Sequence, residues 1–310
     1  MKAAIYTSYG SPDVLTLTEM EKPIPKANEI LVKVYATTVT AGDIRLRASD
    51  FPGLAWLPAR LIFGLFKPKK QILGHEFSGV VEAIGEKVSL FSIGDEVMGT
   101  TTMLSSGSYA EYVCVPEVWK SGVVTTKPEN LSFKEAAALP VGAMTALFLL
   151  KKAQIDETKK VLVYGASGSV GSYAVQLAHQ LGKSVTGVSS ARNADMVKSL
   201  GADEVIDYKS QDYTTLAQDY DIVFDAVGKT SKSEARKILK KEGSFVSVKM
   251  LTKENLKDLE QIKEMVEKGY LTPYIDRTFS LDQIVMAHKY VDTGRKRGNV
   301  VVSVYGIEKN

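Results

Sequence analysis

Hydrophobic and polar residues alternate with a period of two through the first third of the chain. The segments ILVKVYAT (30–37), SGVVEAIG (78–85), DEVMGT (95–100) and AEYVCVP (110–116) are separated by Gly, Pro and Asp turns. Short strands punctuated in this way predict a small barrel-like β-rich domain over residues 1–123. From about Asn130 the spacing becomes helical in SFKEAAALPVGAMTALFLLKKA (132–153). Strand-like VLVYGAS (161–167), SVTGVS (184–189), EVIDY (204–208), DIVFDAVG (221–228) and SFVSVKM (244–250) then alternate with amphipathic helical stretches. That alternation predicts an α/β unit with a doubly wound parallel sheet over residues 124–252. Residues 253–310 read as a charged helix (254–269), a strand (272–279), a helix (280–294) and a closing strand (299–304). Thr252 and Glu254 mark the start of the first of these helices.

The stretch VLVYGASGSVGSYAVQLA (161–178) carries the most specific chemistry. An apolar strand runs into a turn containing Gly165, Ser167 and Gly168, and a helix opens on Ser169, Val170 and Gly171. Side chains at the glycines would block a pyrophosphate from the backbone, and the free N–H groups of a helix N-terminus attract it. The order strand, turn, helix, strand makes this a dinucleotide site rather than a chance cluster of glycines. A cofactor without a 2′-phosphate meets an Asp or Glu at the end of the next strand. Here that position reads Ser189, Ser190 and Arg192, two hydroxyls and a guanidinium suited to a phosphate, so NADP(H) is expected.

Composition narrows the setting. The 310 residues are 45% hydrophobic and 24% charged with a net charge of +3, an ordinary globular balance. The densest basic cluster, Arg295-Lys296-Arg297, is too short for a nucleic-acid surface, and no polynucleotide partner is expected. The N-terminus MKAAIYTSYG lacks the apolar core of a secretory signal, and the run from Ala136 to Leu150 is interrupted by Pro140 and too short to span a bilayer. A cytoplasmic protein without a membrane partner is expected. The single cysteine, Cys114, excludes an internal disulfide and any metal site built from several thiolates.

The ordered motifs GHEFSG (74–79), GDEV (94–97), GSYAEY (107–112), LPVGAMTA (139–146), GASGSVG (165–171) and GRKRGNVVV (294–302) resemble the medium-chain dehydrogenase/reductase superfamily, in its zinc-independent quinone oxidoreductase-like branch. The resemblance covers nearly the whole chain. It implies a GroES-like substrate domain, a Rossmann domain with a cleft between them, and a last segment that returns to the substrate domain. The zinc alcohol dehydrogenases of the superfamily hold their metal with a cysteine three residues before an Asp, the histidine of the GHE motif and a cysteine on the helix before the Rossmann strand. The matching positions here are Thr40, His75 and Val141, and the four-cysteine structural lobe is missing between Gly99 and GSYAEY. One imidazole beside Glu76 falls short of the three ligands that catalytic zinc needs, so no metal is expected. Zinc-independent relatives carry Asn-x-x-Asp followed by a basic residue, and Thr40, Asp43 and Arg47 with His75 are the matching catalytic candidates. Asp43 and Arg47 also have the spacing of an i,i+4 ion pair.

The resemblance further implies cofactor contacts at Thr145, Tyr208, Val227, Lys296 and Asn299. It implies hydride transfer to a quinone, an enone or a similar carbonyl compound. A zinc-type alcohol dehydrogenase and a non-enzymatic NADPH-binding sensor remain open. The apolar segment FPGLAWLPARLIFGLFKPKK (51–70) is a candidate pocket wall. Relatives follow the strand matching SFVSVKM with a further crossover and a sixth strand. Here Lys249-Met250-Leu251 passes straight into a helix, which leaves no room for one. Five strands are expected, with the strand ending near Lys249 at an edge, and a monomer or a homodimer through another surface.

Overall fold

The computed structural model describes residues 1–51, 53, 56–155, 160–216 and 218–305. The chain divides into two compact units, Met1–Val141 with Ile275–Asn310, and Gly142–Tyr274. The changeovers fall later than the breaks expected at 123/124 and 252/253, because the helices after the β-rich segment and after the parallel sheet each stay with the element they pack on.

In the first unit β1 (Lys2–Ile5) pairs antiparallel with β2 (Thr16–Glu19). A longer sheet is built from β3 (Glu29–Thr38), β4 (Glu76–Ile84), β5 (Glu96–Thr100), β6 (Tyr112–Pro116) and β7 (Val124–Thr126). The period-two pattern of β3 places Ile30, Val32 and Val34 on one face, where they bury against Phe77, Val97, Val113 and Val115. Among the helices that punctuate this unit are α1 (Ala41–Ala48), α2 (Trp56–Phe63) and α3 (Phe133–Ala137). α2 lies in the segment expected as an apolar wall, of which Pro52, Leu54 and Ala55 fall outside the described residues.

The helical run 132–153 is two helices rather than one. α3 ends at Ala137 and α4 (Pro140–Lys152) begins on Pro140, which has no N–H to continue α3 and a φ preset for a first helical position. α4 leads into the parallel sheet of β8 (Lys160–Tyr164), β9 (Ser184–Ser189), β10 (Glu204–Asp207), β11 (Tyr220–Asp225) and β12 (Leu239–Ser247), in the spatial order β10-β9-β8-β11-β12. α5 (Ser169–Gln180), α6 (Ala194–Ser199), α7 (Tyr213–Leu216) and α8 (Lys232–Ala235) fill the crossovers, and α9 (Leu256–Glu267) follows. Among the described residues the sheet has five strands, with β12 at its edge. The exposed Lys240, Lys241 and Glu242 on β12, and an irregular register opposite Tyr220, disfavour pairing along that edge. Asn255 caps α9 by accepting from Asp258 N–H at 2.9 Å, so the helix begins later than Thr252 and Glu254 indicated.

The chain returns to the first unit as β13 (Ile275–Ser280), α10 (Ile284–Asp292) and β14 (Asn299–Ser303). β14 runs antiparallel to β3 and parallel to β13, and Ile284, Ala287 and Val291 of α10 bury with Ala3, Leu73, Tyr109 and Val300. Arg47 binds this returning segment to α1. Its Nε donates to the Gly10 carbonyl (3.1 Å), and its two terminal nitrogens meet His288 Nδ1 (3.1 Å) and Asp292 Oδ2 (2.8 Å). Replacing Arg47 by Met leaves these partners unsatisfied at a cost of roughly 3 kcal/mol. The melting temperature should fall by roughly 5–10 °C in a calorimetric scan. An unchanged midpoint would show that the bridge is not structural.

Candidate functional site

The polar centre of the first unit is Asp43, fully buried on α1. Oδ1 accepts from His75 Nδ1 at 2.7 Å and from Gly74 N–H at 2.9 Å, and Oδ2 accepts from Thr40 N–H at 2.9 Å and the Thr40 hydroxyl at 2.6 Å. Thr40 is the N-cap of α1, its Oγ1 accepting from Asp43 N–H at 3.1 Å, so Thr-x-x-Asp closes a capping box. Burial alone would raise Asp43, yet the electrostatic pull of His75 and the bonds from His75 and Thr40 hold it well below the usual carboxylate range.

The structure thus joins Thr40, Asp43 and His75 and turns Arg47 away. The i,i+4 ion pair open from the spacing gives way to the Arg47–Asp292 pair at 2.8 Å, since Thr40, Gly74 and His75 already occupy both oxygens of Asp43.

Glu76, the next residue after His75, is buried as the first residue of β4. It accepts from the Thr38 hydroxyl and, at 2.7 Å, from Val141 N–H in the first turn of α4. A carboxylate at a helix N-terminus is favoured by the dipole. Burial nevertheless pushes Glu76 up to about 7, against the bonds from Thr38 and Val141. Lys296 is drawn down to about 8 by burial, with Glu76 and Asp276 pulling the other way, and its Nζ donates to the Gly298 carbonyl at 2.7 Å. Behind the centre, His288 is fully buried and held down at about 4, mainly by burial; its Nε2 meets Tyr109 Oη at 3.2 Å. Sequence reasoning singled out neither His288 nor Tyr109, because 179 residues separate them.

A cavity of about 320 Å³ opens beside this centre, lined by Leu46, Ile62, Phe63, Lys70, His75 and Leu104, among others. Ile62 and Phe63 come from the apolar segment 51–70, which does form a pocket wall. Among the described residues, no group of three or more His, Cys, Asp or Glu side chains is placed to hold a metal. A histidine with its Nδ1 on a carboxylate has the arrangement of many metal ligands. At the two partner positions of the zinc pattern, Thr40 has its hydroxyl on Asp43, and the side chain of Val141 is a hydrocarbon.

The glycine turn of the second unit divides its work among three residues. Gly165 has φ +81°, and a Cβ there would lie 2.6 Å from Val227 Cγ1. A Cβ on Gly171 would meet the Gly165 carbonyl at 2.2 Å, so this glycine lets α5 pack on the turn. A Cβ on Gly168 would meet only the Gly165 carbonyl, at 3.5 Å, so nothing inside the protein requires glycine there. Gly168 is the N-cap of α5 and offers no side-chain cap, leaving an open backbone at the helix start that suits a pyrophosphate.

Other cofactor candidates gather around this turn. Ser167 Oγ accepts from Asn193 Nδ2 at 3.0 Å, and Asn193 Oδ1 is buried without a partner, an acceptor left over for a ligand hydroxyl. Ser189 ends β9 and Ser190 follows it, Tyr208 N–H donates to the Ser189 carbonyl at 3.2 Å, and Arg192 and Tyr208 are exposed. Asp225 fixes Val227 by accepting from the N–H groups of Val227 (3.2 Å) and Gly228 (2.8 Å). Thr145 lies one helical turn beyond Gly142, where a Cβ would meet Ser169 Oγ at 2.5 Å, so α4 packs close to the start of α5. Ser169 and Val170 supply the first turn of α5. Lys296 and Asn299 belong to the first unit.

The glycines give a two-sided expectation. Gly168→Ala should keep the melting temperature and lose dinucleotide binding in calorimetric titration, whereas Gly171→Ala should cost roughly 1–3 kcal/mol of stability from overpacking. Binding unaffected by Gly168→Ala would remove the phosphate role from this turn.

Comparisons with known proteins agree with this geometry. Residues 26–128 match the alcohol dehydrogenase GroES-like domain family, and residues 169–272 and 247–302 match two zinc-binding dehydrogenase families. The chain is 36% identical to 2-methylene-furan-3-one reductase of Solanum lycopersicum, over 97% of this chain and 79% of that protein. It is 31% identical to the chloroplastic NADPH-dependent alkenal/one oxidoreductase of Arabidopsis thaliana, over 97% of this chain and 79% of that protein. The solved structure of the quinone oxidoreductase from Coxiella burnetii superimposes with a TM-score of 0.88 at 32% identity, covering 98% of this chain and 99% of that one. A β-rich GroES-like unit, a five-stranded parallel unit with a dinucleotide turn, and these matches together mean that the chain belongs to the medium-chain dehydrogenase/reductase superfamily, among its quinone oxidoreductase-like members.

Proposed function

We propose that this oxidoreductase uses NADPH to reduce a quinone, an enone or a related carbonyl compound without zinc. The observation that carries the reading is the cavity beside His75: apolar side chains line it, and the two positions flanking His75 in the zinc pattern offer no metal ligand. The names of the relatives support the substrate class, since they are a furanone reductase, an alkenal/one oxidoreductase and a quinone oxidoreductase. When bound, the reduced nicotinamide supplies the hydride.

The chain's own residues bind and orient. Gly165, Gly168 and Gly171 with the start of α5 receive the pyrophosphate, while Ser189, Ser190 and Arg192 receive the 2′-phosphate. Asn193 Oδ1 and Val227 stand beside the same turn, and Thr145, on the helix that packs close to the start of α5, is a further contact in this reading. Asp43 fixes the ring of His75, which with Leu46, Ile62, Phe63 and Leu104 walls a pocket that shields a planar apolar substrate from water. Arg47 acts by positioning α1 and α10 rather than by touching substrate.

Among the described residues, no helix is long and apolar enough to cross a membrane. We assign the protein to the cytoplasm, where reducing conditions suit its single unpaired cysteine, Cys114. The charged edge of β12 favours a monomer, or a dimer through another surface.

NADPH oxidation followed against a panel of quinones, enones and aldehydes tests the reading; turnover of the first two classes is expected, and none with any carbonyl would overturn it. Arg192→Glu should weaken NADPH by about tenfold or more while sparing NADH, because a phosphate partner becomes a repelling charge. Equal affinity of the unmutated protein for the two nucleotides would refute the assignment of the phosphate to Arg192.

A further inference from the structure

Several polar side chains at the centre of the first unit are committed to partners inside the protein. Thr40 spends its hydroxyl on Asp43, His75 spends Nδ1 on the same carboxylate, and Arg47 meets Gly10, His288 and Asp292. Lys69, also on the wall, donates to the Leu61 carbonyl at 3.0 Å and is exposed. Lys70 differs. Its Nζ donates to the Thr101 carbonyl and to Thr101 Oγ1, each at 3.2 Å. An ammonium has three N–H donors, so one direction remains.

Thr101 is itself fixed. Its Oγ1 donates to the Gly74 carbonyl at 2.5 Å and its N–H to the His75 carbonyl at 2.8 Å, so the ammonium of Lys70 is tethered to the turn that carries His75. Lys70 and His75 line the same cavity as Leu46, Ile62, Phe63 and Leu104.

We propose that Lys70 is a catalytic residue that hydrogen-bonds the substrate's carbonyl oxygen in this cavity and supplies the proton that oxygen takes up. The proposal rests on the reductase reading above and names the group that completes it. In an enone, hydride arrives at the β-carbon and forms a C–H bond while the nicotinamide donor is oxidised. The C=C pair shifts towards the carbonyl and the C=O π pair settles on oxygen as an enolate. An N–H bond of Lys70 then breaks, its proton forms the O–H bond of an enol that relaxes to the saturated ketone, and the neutral amine recovers a proton from water. Charges converge on the oxygen, where a fixed cation contributes most.

The electrostatics fit that role. Burial brings Lys70 down to about 8, with Asp43 pulling it partly back, so it carries its proton at neutral pH and releases it readily. The other titratable groups among the residues that line the cavity are His75 from the turn before β4 and Lys69 from its own segment; Thr102 and Ser105 in the same lining are neutral.

The test uses the full chain with Lys70→Met and Lys70→Arg, both checked by thermal melting. para-Nitrophenol, whose phenolate mimics an enolate, is titrated into the protein without nucleotide and followed by the phenolate absorbance against pH. The unmutated protein should lower the apparent pKa of the bound phenol by about one unit. Lys70→Met should abolish that shift and Lys70→Arg keep it. With NADPH and methyl vinyl ketone, Lys70→Met and Lys70→Arg should both lose roughly a hundredfold in kcat/KM. The decline that the unmutated enzyme shows above about pH 8 should vanish in both. A phenolate shift in Lys70→Met equal to that of the unmutated protein, or an unchanged rate and pH profile, would overturn the proposal. If no carbonyl is reduced by the unmutated protein, the reductase reading fails, and the phenolate shift still decides whether Lys70 faces a ligand oxygen. Should Lys70→Met melt early, the rate and pH profile of Lys70→Arg decide.

Discussion

A carboxylate without solvent dominates the architecture of the first unit. Removing an ionised Asp from water costs many kcal/mol unless donors replace the water, and Asp43 obtains them from Thr40, Gly74 and His75. Those donors come from two distant stretches, the start of α1 and the turn before β4. Satisfying one carboxylate therefore sets where α1 begins, how the turn at Gly74 closes and which ring nitrogen of His75 stays available. Gly74 has φ +99°, a conformation that L side chains rarely adopt, and a Cβ there would meet Ser108 Oγ at 2.4 Å. The cavity inherits its polar wall from this arrangement.

The second unit depends on a different constraint, the closeness of backbone to backbone. Gly165 and Gly171 are demanded by neighbours inside the protein, whereas Gly168 is not. A glycine without an internal reason points to a partner outside the chain. Together with the buried, unpartnered Asn193 Oδ1, it gives the turn the features of a receptor rather than of a mere connection.

Much of this was legible in the sequence, for reasons that differ by residue. The period-two run at residues 30–37 and the strand-to-helix order around Gly165 are local patterns, and both appear where the periodicity placed them. The absence of a sixth strand followed from chain length alone, because too few residues separate Ser247 from Leu256 for a helix and a returning strand. Thr40 was legible as a cap, since Thr-x-x-Asp is a capping pattern, and the structure closes that capping box on Asp43. The Arg47–Asp292 pair joins residues 245 apart and left no mark in spacing. Lys70 was hidden at the end of an apolar stretch whose hydrophobicity drew attention from its cations.

Carbonyl reduction by this chain is, on this account, the work of a nicotinamide and organic side chains, with His75 serving as a wall residue held by Asp43. The most direct test is the rate of NADPH-dependent enone reduction before and after exhaustive treatment with a strong zinc chelator, with zinc content measured in the same samples. An unchanged rate with far less than one zinc per chain is expected. A rate abolished by the chelator and restored by added zinc would contradict the account and make His75 a metal ligand.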